Sequence, residues 1–157
     1  MIRVLVLSVL VTFFTLPIAA LADRESGYYY PAPKKVENYR GRARTLPYAN
    51  STTRIEFANS IVVESLKKSF PPQFAIFAKG INAERMIIIS NMKGQLDTIY
   101  RVRALLATMT AVARKSPVLR KVRLENVLTF LDLAKMLGFK QITISDGDKF
   151  SHQVFLK

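Results

Sequence analysis

His152 is the sole histidine of the chain and cysteine is absent. Any step that needs imidazole must therefore use His152, and no thiolate can serve as nucleophile or metal ligand. Ser145, Asp146 and His152 contain the letters of a hydrolytic triad, but neighbours on one tight hairpin do not readily reach its geometry. Asp146, Asp148 and His152 also suggest a metal site. An Asp-Gly turn needs those residues for backbone reasons, however, and the alternating oxygen ligands and terminal Glu of a calcium loop are missing. Gly-x-Ser-x-Gly, His-Glu-x-x-His, a phosphate-binding Gly-Lys-Ser/Thr loop and a dinucleotide fingerprint are all absent. The sequence thus assigns no catalytic residue, no metal ligand and no cofactor, and a lone histidine on the core face of a strand is more often structural than a base.

Cations offer the stronger chemistry. Arg103, Ala107, Thr110 and Arg114 recur at steps of four, three and four, which sets both arginines on one edge of a helix. With Lys115, Arg120, Lys121 and Arg123 they belong to a stretch, 98 to 123, that holds seven basic residues and no acid. Two guanidinium groups can bind phosphate or carboxylate in a bidentate manner, so these six residues are the candidate anion site. The alternative is a solvated helix flank on which Arg101 pairs with Asp97.

The elements that must carry these residues can be read from periodicity. Thr53 and Glu56 have capping-box spacing ahead of Ile55, Ala58, Val62 and Leu66, which predicts a helix over about 54 to 69, ended by Pro71-Pro72. Residues 74 to 79 and 85 to 90 read as a hairpin around 80 to 84, and Ile87-Ile88-Ile89 suggests a strand covered on both faces. A helix is predicted over 91 to 116 and another over 124 to 137, followed by Gly138. The tail reads as a hairpin turning at 146 to 148. A two-residue loop would pair Ile144 with Lys149 and Ile142 with Ser151; the favoured three-residue loop pairs Ile144 with Phe150 and Ile142 with His152. The expected fold is α+β: an antiparallel sheet of about four strands with helices on one face, in the order α-ββ-αα-ββ.

Before this domain, 51 to 157, stands an arm over 23 to 50 in which prolines, tyrosines and basic residues alternate; it has too little aliphatic surface to order itself. Residues 1 to 22 combine Arg3, an apolar run and Ala20-Leu21-Ala22, the pattern of a cleaved secretion signal, which directs the protein to the periplasm or exterior. The apolar run is too short to span a bilayer, and no transmembrane segment follows it. The leader holds one of 24 basic residues and none of 11 acidic ones, leaving 23 against 11 and a formal charge of +12. Such an excess attracts an anionic envelope component or an acidic protein, with nucleic acid disfavoured by the address. It also fits a merely solvated surface.

The runs FAIFAKG (74 to 80), MIIIS (86 to 90), LDTIYRVRALLATMTAVAR (96 to 114) and LTFLDLAKMLGFKQITISDGDKFSHQ (128 to 153) cover most of the folded part. In them the chain resembles a group of short exported bacterial proteins of unassigned function. Some members of that group carry the label molybdopterin-guanine dinucleotide biosynthesis protein A, which implies guanylyl transfer from GTP onto a molybdenum cofactor. The glycine-rich Leu-Ala-Gly-Gly-x-Ser-x-Arg-Met-Gly loop that opens such a transferase has no counterpart here, so the resemblance carries over no site residue. The sequence therefore points to an exported, non-enzymatic domain that binds an anionic partner. Its rivals are a small transferase or hydrolase acting on a phosphorylated substrate and an assembly subunit joined through a sheet edge and the arm. Oligomeric state is not legible.

Overall fold

The computed structural model describes residues 31–70, 74–92, 94–120, 122–124 and 126–157. The leader, the start of the arm and Lys121 lie outside them. Two hairpins occur where the apolar runs place them: β2 (Phe74–Lys79) with β3 (Arg85–Ser90), and β4 (Gln141–Ser145) with β5 (Ser151–Leu156). A further strand, β1 (Lys35–Tyr39), comes from the arm.

Together they make one five-stranded sheet in the order β1-β5-β4-β3-β2. The hairpins are antiparallel inside, but β3 runs parallel to β4 and β1 parallel to β5. The expected four-stranded antiparallel sheet is thereby corrected to a mixed sheet, in the element order β-α-β-β-α-α-β-β. The physical cause is the long helical connection between the hairpins, which lets β4 return alongside β3 in the same direction, as no tight turn can.

Helix α1 (Ser51–Leu66) begins three residues earlier than the periodicity implies. Asn50 is its cap: the side chain accepts the Thr53 N–H while the Thr53 hydroxyl accepts the Asn50 N–H, both at 2.9 Å. Helix α2 (Ile99–Ala113) is shorter than expected because the Ser90 hydroxyl holds a turn at Met92, and Thr98 supplies the cap. Helix α3 (Phe130–Met136) starts only at the Thr129/Asp132 capping box, leaving 126 to 129 as connector.

The core is continuous and one-sided. Phe57 and Ile61 of α1, Val102 and Met109 of α2, and Phe130 and Leu133 of α3 meet Ile76, Met86, Ile88, Ile142, Ile144 and Val154 of the sheet. Each such side chain contributes on the order of 1.5–3 kcal/mol by leaving water. The Phe57 ring lies 6.2 Å from both Phe130 and Phe139, tying α1 to α3 and the start of β4. Ile88 is fully buried toward the helices and Ile87 is buried on the other face, so the isoleucine run is covered on both faces there, while Ile89 at its end is half-buried.

The β4–β5 register also differs from expectation. Ile144 faces His152 and Ile142 faces Val154, so the connection spans 146 to 150. Asp146 lengthens it: one carboxylate oxygen accepts the N–H groups of Asp148, Lys149 and Phe150 at 2.9, 2.9 and 2.8 Å. The shift is two residues, so His152 keeps the helix-facing side.

Candidate functional site

His152 is 1 % exposed. The parallel register places Lys35 opposite it and Glu37 one pleat further on, so both reach the helix-facing side. The Glu37 carboxylate lies 3.4 Å from His152 Nε2, 3.4 Å from Lys35 Nζ and 3.7 Å from the Arg103 guanidinium of α2. Neither ring nitrogen of His152 makes a hydrogen bond among the described residues. Burial pushes the imidazole pKa down; Glu37 opposes this, Lys35 and Arg103 reinforce it, and the balance falls below the ordinary value of 6.5. His152 is therefore neutral at neutral pH.

This arrangement does not form a triad. Ser145 and Ser151 pair with each other on the opposite face of the sheet from Ile144 and His152. The Ser145 hydroxyl donates to the Phe150 carbonyl at 2.7 Å and accepts the Gly147 N–H. Asp146 is occupied by its own turn. No group of three or more metal-ligating His, Cys, Asp or Glu side chains occurs among the described residues.

Sequence reasoning missed Glu37 and Asp132. Asp132 is fully buried and accepts the Arg42 N–H at 2.7 Å, the Thr129 N–H at 2.9 Å and the Tyr39 hydroxyl at 3.0 Å. Burial works against its ionisation, but these donors outweigh it and hold the carboxyl below its usual range. Lys135 Nζ donates to the Gly41 and Lys157 carbonyls beside it. The segment from Tyr39 to Arg42 is thus fastened by polar anchors, whose only trace in the sequence is the Thr-x-x-Asp capping spacing at 129 to 132.

The candidate anion ligands among the described residues do not share one place. Arg103 and Arg114 stand about 16 Å apart along α2, too far to grip one phosphate. Arg103 turns to Glu37, while the Arg114 guanidinium donates to the Asn126 and Leu128 carbonyls at 2.6 and 2.7 Å and so holds the connector to α3. Thr110, on the same edge, accepts the Phe130 N–H at 3.0 Å, a first-turn donor that needs a partner. That edge of α2 receives α3. Arg123 is exposed, and Lys121 lies outside the described residues.

Lys115 and Arg120 have different company. A hydrogen bond from Ser60 to Ser116 at 2.7 Å fastens α1 to the chain after α2, beside the short 3-10 turn Pro117–Leu119. Lys115 and Arg120 are exposed there next to the C-terminal end of α1, where Lys67 and Lys68 are exposed too. Lys67 forms an ion pair with Glu64. The Glu64 carboxyl is held below its usual range by the Lys67 hydrogen bond first, then by the charges of Lys67, Lys115 and Arg120. Three cations from two segments therefore act on one carboxylate, and exposed Lys68 follows Lys67 in the chain. No family model, no curated protein and no solved structure matches the chain.

Proposed function

We propose that the chain is an exported, non-enzymatic domain that binds an anionic partner of the cell envelope through Lys67, Lys68, Lys115 and Arg120. The observation that carries this reading is that exposed Lys67, Lys115 and Arg120, from two segments, act on the carboxylate of Glu64 at one end of α1, with exposed Lys68 next in the chain. Exposed cations with so little local compensation attract polyanions and are weakly coupled to the fold. The net charge, +12 once the leader is removed, supplies long-range attraction, and the cluster supplies a place.

Retention on an immobilised sulfated polysaccharide tests it. The fourfold variant Lys67→Glu, Lys68→Glu, Lys115→Glu, Arg120→Glu should elute at far lower salt than the parent with little change in melting temperature. A matched variant, Arg40→Glu, Arg44→Glu, Lys140→Glu, Lys149→Glu, alters net charge equally at exposed positions elsewhere and should lose much less. Equal losses would show that overall charge alone acts and would overturn the site.

A further inference from the structure

We infer that the anionic partner is the surface of a lipid bilayer, docked by the C-terminal end of α1; this rests on the binding reading above. Beside the four cations stand Val63, Leu66 and Phe70, which are 54 %, 63 % and 91 % exposed. Phe57, Ala58, Ile61 and Ser65 mark the inner side of α1, so Val63 and Leu66 project from its outer side, and Phe70 follows just past the helix end.

Single exposed apolar residues are ordinary, but three in eight positions beside Lys67, Lys68, Lys115 and Arg120 combine two signals. An apolar group enters the headgroup and acyl boundary, while lysine and arginine stems lie along it with their charges among lipid phosphates. A sulfated glycan or an acidic protein face would be served by the charges alone and would leave Phe70 in water. No helix among the described residues is long and apolar enough to cross a membrane, so this docking is peripheral and sensitive to salt.

The chain has no tryptophan, so Phe70→Trp in the full chain places its only indole at the docking point. Bulk partitioning would also report the apolar leader; the indole reports this surface. Vesicles of phosphatidylcholine containing phosphatidylglycerol should shift its emission to the blue, and high salt should reverse the shift. In the background of the fourfold Glu variant, vesicle affinity should fall by about a hundredfold or more. Ile81→Trp is the control. Ile81 is 100 % exposed in the β2–β3 turn, which the Arg54 guanidinium holds at the opposite end of α1 through the Asn82 carbonyl at 2.8 Å. Its indole should not shift.

An unshifted Phe70→Trp indole, an equal shift with pure phosphatidylcholine, or an equal shift at Ile81→Trp would overturn the bilayer inference. If polysaccharide retention still depends on the four cations, the anionic-partner reading survives that result and the partner is a glycan or protein. Loss of both would end both.

Discussion

At His152 the imidazole is surrounded by Glu37 and Lys35 from β1 and Arg103 from α2, and burial with the two cations outweighs the one carboxylate. The sign of the consequence follows from linkage. The unfolded chain takes up the proton near pH 6.5 and the folded chain only below that, so this contribution to stability is complete above about pH 6.5 and is lost as pH falls toward the folded pKa. Each unit of difference is worth about 1.4 kcal/mol. Asp132 acts lower: its depressed carboxyl stabilises above about pH 4, and that contribution fades below it. Melting temperature should therefore fall in two steps on acidification. His152→Gln should flatten the first step and leave the second; an unchanged first step would show that another group titrates there. The alternation of Ile142, Ile144, His152 and Val154 made the facing of His152 legible beforehand, but not its partners, because Glu37 is distant in sequence.

Gly138 joins α3 to β4 in the left-handed region at φ +79°, with its N–H donated to the Lys135 carbonyl at 2.8 Å. A Cβ there would lie 2.7 Å from Arg54 Nη1, which donates to the Leu137 carbonyl at 3.0 Å. Arg54 thus caps the end of α3 from the first turn of α1, close to where glycine leaves room for it. Gly138→Ala should cost about 1–2 kcal/mol from the backbone alone, plus the displacement of Arg54. Urea unfolding of Gly138→Ala alone and with Arg54→Met checks this: the alanine should cost less in the second background, and equal costs would leave only the backbone effect. Gly138 was readable as a helix end from its position after an apolar stripe. The helix start at Phe130 was not, since Leu124, Val127 and Leu128 continue the same apolar spacing while Arg114 holds the intervening carbonyls in a connector.

For the molecule as a whole, β1 matters most. It covers the β5 edge and brings Glu37 to His152; the chain just beyond it brings Arg42 to Asp132. Deleting residues 31–50 should uncover an edge strand and strip Asp132 of two donors, at a cost of about 3 kcal/mol or more. Thermal melting and size-exclusion mass should show a lower transition and self-association; an unaltered melt would mean that β1 is dispensable. Both hairpins, the three helices, the facing of His152 and the wealth of charge were legible in local periodicity and composition. Tertiary structure alone decided that β3 and β4 run parallel, that KVENY is a strand, and which cations share a surface. In KVENY the helix-facing residues are Lys35, Glu37 and Tyr39 while Val36 faces water, so its alternation is the reverse of the apolar signal. Strand partners and charge neighbours depend on where the long connections return the chain, and no short window of residues carries that.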